Sequence, residues 1–406
     1  MNYSEVNKYT ISIKVYKKLL VVLIGLSIIQ QMPYIKDYYY GHFRIILYIF
    51  FSYLCFIGVT KIKYLVKFPI IRVMLITLVY SVLLTIVSFI IGKNYNSFMT
   101  LLIPFGIMLC SIVTHFSELE LKKLMIFYSV LVVLLGLASI FYYGNGFNIA
   151  KVYAIPMKNQ LGPIIGNALI ILSYLIFENS KKAEEMIIRF IYLFMLILGF
   201  LTLIVIRNRS GIVGCAVVIF IMFLMNYKFK LTLCNLIILE IISIMFLVLQ
   251  VNGFFDVLWE MIWDSMTLNF DVADLQSLSS GRTDVYVYSI KYISENSLGG
   301  NLLNFYGFSH GNVHNYILFT LVRYGLVLSL PLVLFYLYLI KSVFCNLSSK
   351  INNVSGVSIW LLSLSIIVSL FEYSYPYGPG VTQIIVWTMI GQFFRSHDEQ
   401  KTVGDY

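Results

Sequence analysis

Three arginines and one histidine carry the side chains in this sequence that are best suited to chemistry. They occur in three polar motifs, "RNRSGIVG" with Arg207 and Arg209, "LSSGRTDV" with Arg282, and "GNVHNYILFTLVRYG" with His314. A guanidinium group stays charged at any relevant pH and binds two phosphate oxygens through parallel hydrogen bonds. A histidine ionises near neutral pH, so it can accept a proton from a hydroxyl group. These residue types suit a phosphate-bearing substrate and a proton transfer.

The elements that must position these residues are membrane-spanning helices. Of the 406 residues, 60% are hydrophobic and only 12% are charged, and the mean hydropathy is +0.86. A soluble core of this length could not hide so much apolar surface. The sequence therefore predicts an all-α polytopic membrane protein that forms a single transmembrane domain over residues 1–406.

Twelve segments are predicted to span the membrane. They cover residues 18–33, 43–60, 69–92, 98–115, 122–143, 161–178, 186–206, 210–226, 229–250, 314–341, 356–373 and 379–395. With these spans, 19 of the 29 Lys and Arg residues fall on the side that holds both termini. Because positive charge accumulates on the cytoplasmic side, we expect both termini to be cytoplasmic and residues 251–313 to form one large outward loop.

The predicted outward loop concentrates the polar residues of the chain. In its first part, "GFFDVLWEMIWDSM", Asp256, Glu260 and Asp264 are four residues apart beside a stripe of aromatic residues. This spacing predicts an amphipathic helix, over about 253–267, that lies flat on the membrane surface. Glycines later in the loop can form tight turns that present backbone amides to an anion; they are Gly281, Gly299, Gly300, Gly307 and Gly311.

The motifs around these residues carry a resemblance to a known family. "SSGRTDVY", then "NSLGGN" and then "HNYILFTLVRYG" resemble the signature of the O-antigen polymerase and O-antigen ligase family, the Wzy-type polymerases. In that family a His-Asn pair heads a helix and a glycine follows after nine more residues, as His314, Asn315 and Gly325 do here. "RNRSGIVG" is similar to a second element of the family, an arginine just outside a span. Two positions depart from the pattern, because Tyr286 stands where Trp is common and Leu328 where a small residue is expected.

The resemblance implies a glycosyltransferase with a GT-C-like architecture in the bacterial cytoplasmic membrane. It implies transfer of a growing glycan from undecaprenyl diphosphate to the non-reducing end of the next lipid-linked repeat unit. Donor and acceptor repeat units and membrane lipid are the implied partners, with a chain-length regulator and a flippase as accessory candidates. The resemblance assigns catalytic roles to Arg209, Arg282 and His314, and substrate-binding roles are expected for Gly281, Tyr286, Asn315 and Arg207.

Ordinary structural interpretations compete with these roles. A single arginine on the outward side is more often an interface residue that extends its charge into water, and Arg207 fits this interpretation best. His314 precedes an apolar stripe, so it could cap or pack a helix. The matched motifs favour the functional interpretation for Arg209 and Arg282.

Two other functions would also suit a multi-span protein that handles lipid-linked sugars. A ligase, which transfers finished glycan to a different acceptor, resembles a polymerase in these same motifs. A transporter would concentrate polar groups at the bilayer midplane on repeat-related broken helices. This sequence has no evident internal repeat and concentrates polarity in one loop, which favours an enzyme.

Two charged residues are predicted inside the membrane. Glu240 and Arg323 each lie ten residues from the predicted outer end of a span, or about 15 Å deep at the rise of an α-helix. An unpaired charge at that depth costs about 2.5–3.5 kcal/mol on insertion scales. The two residues could therefore pair, or Arg323 could lie in a wet substrate-binding cavity while Glu240 is protonated.

Nothing in the sequence indicates a metal, a disulfide framework or a nucleic acid. The five cysteines lie in or beside apolar segments without paired spacing. No cluster of histidine, cysteine or carboxylate residues has metal-ligand spacing, so we expect glycosyl transfer without a metal or other cofactor. The net charge of +10 follows from the cytoplasmic excess of Lys and Arg.

Overall fold

A computed structural model describes residues 3–60, 65–93, 95, 97–114, 116–143, 158–178, 186–206, 208–226, 282–304, 308–309, 313–347, 354–378 and 380–404. The regular elements within these ranges are helical, and the α-helices are α1 (Tyr3–Ile29), α2 (Pro33–Tyr38), α3 (Tyr40–Thr60), α4 (Pro69–Ile90), α5 (Ser97–Thr114), α6 (Glu118–Tyr143), α7 (Lys158–Glu178), α8 (Met186–Val205), α9 (Arg209–Asn226), α10 (Arg282–Glu295), α11 (Gly300–Leu303), α12 (Tyr316–Leu347), α13 (Val357–Ser369) and α14 (Gly380–Gly404). A 3₁₀ turn, Val354–Gly356, precedes α13.

These helices form an all-α multi-pass membrane protein. Within the described residues, the seven helices α3 to α8 and α12 are long and apolar enough to cross a bilayer, while α9 and α13 are apolar but shorter. A helix covers most of each predicted span that falls in the described ranges. The predicted span 229–250 and the amphipathic helix over about 253–267 lie outside the described residues, so the total of twelve spans remains a prediction.

The distribution of side chains is that of a protein surrounded by lipid. Bulky apolar residues point outward, with Phe89 on α4 exposed over 82% of its surface and Ile187 on α8 over 73%. Small polar residues such as Ser81, Ser111 and Ser129 are fully buried between helices. Small side chains let neighbouring helices approach closely, and the hydroxyl groups of Ser81 and Ser111 donate to carbonyls within and between helices, respectively.

Specific caps set the boundaries of several helices. Ser117 and Glu120 form a reciprocal cap at the start of α6, because the Ser117 amide donates to the Glu120 carboxylate at 2.8 Å and the Glu120 amide donates to the Ser117 hydroxyl at 3.3 Å. Lys17 of α1 also forms an ion pair with Glu120 at 2.7 Å. Pro69 occupies the first turn of α4, where its missing N–H costs nothing.

Helix α7 is the most enclosed of these seven spanning helices and packs against α6, α8, α9 and α13. Helix α14 packs along α5, where the Ser111 hydroxyl donates to the Thr388 carbonyl at 2.6 Å. The amide of Asn167 joins α7 to α14 by donating to the Thr382 carbonyl at 2.9 Å. These contacts fix the helices that lead to the polar end of the bundle.

Helix α12 is broken at Gly325, which adopts φ 69° and ψ 177°. The turn before α11 fills the break, since the Leu326 amide donates to the Ser297 carbonyl at 2.7 Å. Gly300 lies against the same break with φ 51°, and a Cβ there would approach the Val322 carbonyl to 2.5 Å. The two glycine-containing motifs are thus packed backbone to backbone, which requires glycine at both positions.

Gly325→Ala is expected to lower both the yield of folded protein and its thermal unfolding midpoint. The observed φ and ψ are nearly exclusive to glycine and cost another residue about 1–3 kcal/mol. The new Cβ would also lie 2.7 Å from the Ser297 carbonyl oxygen. Gly41→Ala is the control, because a Cβ at Gly41 meets nothing within 4 Å. Equal melting of the two variants in detergent would show that the break does not require glycine.

Candidate functional site

Arg282 begins α10 and is held at its guanidinium by the connection between α13 and α14. Its Nη1 donates to the Phe371 carbonyl at 3.1 Å, and its Nη2 lies 4.0 Å from a carboxylate oxygen of Glu372. The side chain of Arg282 is 31% exposed, whereas that of Glu372 is only 8% exposed. Part of the guanidinium therefore remains open for a ligand.

His314 faces the second oxygen of the same carboxylate. Its Nδ1 lies 3.5 Å from Glu372 Oε2, a distance suited to an ion pair but long for a hydrogen bond. No described residue donates to or accepts from Nε2. The Tyr373 ring packs against the imidazole with centroids 6.3 Å apart. A carboxylate on one ring nitrogen and an open second nitrogen is the arrangement that a general base requires.

Glu372 was missed by the sequence analysis. The predicted span 356–373 contained it, but α13 ends at Ser369 and residues 370–378 form a connection rich in aromatic residues. The available signal was that Glu372 is the single charged residue in this connection, next to the turn-forming sequence "SYPYGP". Burying a single carboxylate between two spans is unfavourable unless a cationic group lies beside it. In the structure these groups are Arg282 and His314.

Tyr286 lies one helical turn after Arg282 and connects α10 to His314. Its hydroxyl donates to the His314 carbonyl at 2.9 Å. Burial raises the pKa of the Tyr286 phenol, with a smaller upward effect from Glu372, while the positive charge of Arg282 opposes both. Tyr286 is therefore part of the same cluster, with its hydroxyl bonded to the backbone, and its contact with substrate remains a prediction.

Asn315 caps α12. Its Oδ1 accepts a hydrogen bond from the Leu318 amide at 3.0 Å, and its Nδ2 donates to the Leu370 carbonyl at 3.3 Å. Since the helix starts at Tyr316, His314 lies just before it and not within it. The observed bonds give Asn315 a part in holding His314 beside the 370–378 connection, and its contact with substrate remains a prediction.

Arg209 begins α9 and lies near Arg282. Burial lowers the pKa of Arg209, and repulsion from the Arg282 charge lowers it further. The preceding residue, Asn208, is 2% exposed and caps α9, because the Gly211 amide donates to its side-chain oxygen at 2.6 Å. Arg209 is thus fixed by a capped helix, at the end where the helix dipole is positive.

Arg323 is stacked between aromatic rings inside α12. Its guanidinium carbon lies 4.2 Å from the centroid of Phe319 and 4.7 Å from that of Tyr95. Phe319 in turn packs on Tyr373 with centroids 4.5 Å apart, so Arg323 contacts the cluster through rings. Glu240 lies outside the described residues, and its predicted pairing with Arg323 remains a prediction.

The structure brings together five of the residues predicted for the site. Arg282 and His314 face Glu372, and Tyr286 bonds to the His314 carbonyl. Asn315 bonds to the Leu370 carbonyl beside them, and Arg209 lies near Arg282. Gly281 and Arg207 fall outside the described residues. Two guanidinium groups and one carboxylate leave this cluster with an excess of positive charge. A bound anion would relieve the repulsion between the arginines.

Within the described ranges, no group of three or more histidine, cysteine or carboxylate residues is arranged to hold a metal ion. The chain matches no protein-family model and no curated protein. The interpretation of the cluster therefore rests on its own geometry and on the motifs in the sequence.

Proposed function

We propose that this chain is a polysaccharide polymerase of the bacterial cytoplasmic membrane. It would transfer a growing glycan from undecaprenyl diphosphate to the non-reducing end of the next lipid-linked repeat unit. One observation carries the proposal: Arg282 and His314, which are far apart in the sequence, face the two oxygens of the buried Glu372 carboxylate, and Arg209 lies close enough to Arg282 for the two charges to repel. This cluster combines a site for a dianionic leaving group with a candidate general base.

The proposed topology places this cluster on the outer side, with both termini in the cytoplasm. The excess of Lys and Arg residues at the opposite helix ends supports this orientation. Arg209 and Arg282 then oppose the usual charge bias, and binding of the lipid diphosphate accounts for their position. A glycan polymerised at this face would need no further transport across the bilayer.

In the proposed reaction Arg209 and Arg282 bind the diphosphate of the donor. The bond between the anomeric carbon and the diphosphate oxygen breaks, and the diphosphate keeps the electron pair. Guanidinium groups stabilise the negative charge that develops on the leaving oxygen. The partial burial of both arginines strengthens this effect, because water screens the charges less.

His314 accepts the proton from the attacking hydroxyl of the acceptor through Nε2. As that proton leaves, the hydroxyl oxygen bonds to the anomeric carbon of the donor. Glu372 acts through His314, because its carboxylate faces Nδ1 and stabilises the imidazolium that forms. The distance of 3.5 Å between His314 Nδ1 and Glu372 Oε2 is expected to shorten when substrate binds.

Incubation of the purified protein with its lipid-diphosphate repeat unit alone tests the proposal. A ladder of products on a gel is expected, because each transfer adds one repeat unit. Absence of product until a second acceptor is added would indicate a ligase. Movement of the lipid-linked repeat across vesicle membranes without new glycosidic bonds would indicate a transporter.

Turnover is expected to continue at an unchanged rate in the presence of excess chelator. The proposed mechanism assigns charge stabilisation to the two guanidinium groups, which replace the role that a divalent cation has in other phosphate sites. The measurement is the initial rate of ladder formation with and without EDTA. Strong inhibition that a divalent ion reverses would contradict this mechanism.

Impermeant maleimide is expected to label Lys291→Cys but not Lys123→Cys in intact cells. Both positions are exposed, on α10 and near the start of α6, and the proposed topology places them on opposite sides of the membrane. The native cysteines are replaced by serine in both variants. Labelling of Lys123→Cys only after the cells are opened completes the test, and the reverse pattern would invert the topology.

A further inference from the structure

A cavity of about 150 Å³ lies between α1, α3, α5, α7 and α14, apart from the arginine and histidine cluster. Its polar lining residues are near the helix ends that face outward in the proposed topology. Most of them are Gln30 and Gln31 after α1, Tyr40 and Arg44 at the start of α3, Gln160 at the start of α7 and Thr382 at the start of α14, while Tyr48 lies deeper in α3. Apolar residues further along the helices line the rest of the cavity.

The lining therefore changes from polar to apolar with depth. Leu23 lies inside α1, Phe51 in the middle of α3, and Ile103 inside α5, all further from the outer end than the glutamines. An amphiphile at the outer face has the same order of groups, with a polar head at the surface and an apolar chain below it. The gradient of the lining matches such a ligand.

The two glutamine side chains make few hydrogen bonds to the described protein. Gln31 is only 7% exposed, and its side-chain amide makes no hydrogen bond within the described residues. Gln30 is 1% exposed and donates one long bond, of 3.4 Å, to the Tyr40 carbonyl. These amides line the cavity and keep donors that bond to no described residue, so they suit a ligand that supplies hydroxyl or phosphate oxygens.

Arg44 places a positive charge at the rim of this cavity. Its guanidinium lies 5.8 Å from the centroid of the Tyr48 ring, and it forms no ion pair with a described carboxylate. The residue is exposed and lies on the side where the charge bias disfavours arginine. A phosphate group of a membrane lipid is the anion available at this depth.

The cavity lining is hydrogen-bonded to the connection that carries Glu372. Thr382, which follows this connection, lines the cavity and accepts a hydrogen bond from the Tyr375 hydroxyl at 3.2 Å. Tyr375 belongs to the same connection as Glu372. Tyr375 thus links the cavity lining to the connection that carries Glu372.

We propose that this cavity binds the head-proximal part of a second polyprenyl diphosphate lipid, the acceptor of the transfer. The assignment to the acceptor rests on the function proposed above. A volume of this size accommodates one ring-sized group, so the remainder of the lipid chain lies in the bilayer. The acceptor site is then linked to the donor site through the 370–378 connection.

Native mass spectrometry of the protein with farnesyl diphosphate tests this proposal. Two bound molecules are expected for the unmodified chain, one at each site. Leu47→Trp fills the cavity and is expected to weaken one of the two binding events at least ten-fold. Ile46→Trp is the matched control, since Ile46 is 40% exposed on the same helix while Leu47 is 7% exposed and lines the cavity. Gln31→Leu, which keeps the side-chain size, provides a second variant if the tryptophan prevents folding.

The outcomes separate this inference from the proposed function. Two tightly bound molecules in both Leu47→Trp and Gln31→Leu would overturn the cavity assignment. Loss of one molecule in Leu47→Trp, together with no loss in Arg282→Ala, would support the cavity and contradict the donor site. Displacement of the Leu47-dependent molecule by an equal concentration of phosphatidylglycerol would overturn the acceptor assignment, because it would identify a general phospholipid site.

Discussion

Glu372→Gln is expected to reduce polymer formation about 10²- to 10⁴-fold while the protein still folds and inserts into the membrane. The glutamine keeps the shape of the side chain but removes its charge. It can no longer stabilise the imidazolium that forms when His314 accepts a proton. The measurement is the initial rate of ladder formation from the lipid-linked repeat, with size-exclusion chromatography as the test of folding.

Glu295→Gln is the matched control for this variant. Glu295 ends α10 and is exposed, so the loss of its charge should leave the rate unchanged. A Glu372→Gln enzyme with a rate close to that of the unmodified protein would remove the carboxylate from the mechanism.

A double variant separates the action of Glu372 through His314 from a purely structural role. If the two residues act as a unit, His314→Gln with Glu372→Gln should be little slower than His314→Gln alone. Additive losses would indicate that Glu372 serves mainly to hold Arg282, whose Nη2 lies 4.0 Å from it.

The parts of the fold that the sequence predicts well are those that depend on long apolar runs. A span of lipid-facing helix needs about 20 apolar residues, and this requirement is visible in a single sequence. The predicted end of the span 356–373 was wrong by a few residues, because "SLFEY" continues the apolar pattern although α13 ends at Ser369. This error hid Glu372 within a predicted span.

The grouping of Arg209, Arg282 and His314 could be predicted only from the matched motifs. Their separation in the sequence gives no indication of their proximity in space. The close approach of Gly300 to Gly325 was equally hidden, since it depends on φ values and on backbone contacts between distant segments. The glutamine-lined cavity is formed by five helices, and no local pattern in any one of them indicates it.

The backbone contact between Gly300 and Gly325 helps to position two elements of the candidate site. Their contact holds the chain after α10 against α12. Helix α10 begins with Arg282, and α12 begins two residues after His314. Lys93 adds a third element to this contact by donating to the Asn304 carbonyl at 2.5 Å. The separation between the guanidinium of Arg282 and the imidazole of His314 therefore depends on backbone packing away from both side chains.

Arg282→Lys is expected to reduce polymer formation by about 10²-fold or more, nearly as much as Arg282→Ala. The guanidinium of Arg282 contacts the Phe371 carbonyl, lies near Glu372 and still exposes part of its surface. A lysine ammonium is a single point of charge, so it cannot keep these protein contacts and also offer two parallel hydrogen bonds to a phosphate. The loss should appear in the initial rate of ladder formation and in weaker binding of polyprenyl diphosphate.

Arg72→Lys, at an exposed position on α4, is the control for the substitution itself. An Arg282→Lys enzyme as fast as the control would show that positive charge alone is sufficient at this position, and it would exclude bidentate binding of the leaving diphosphate by Arg282.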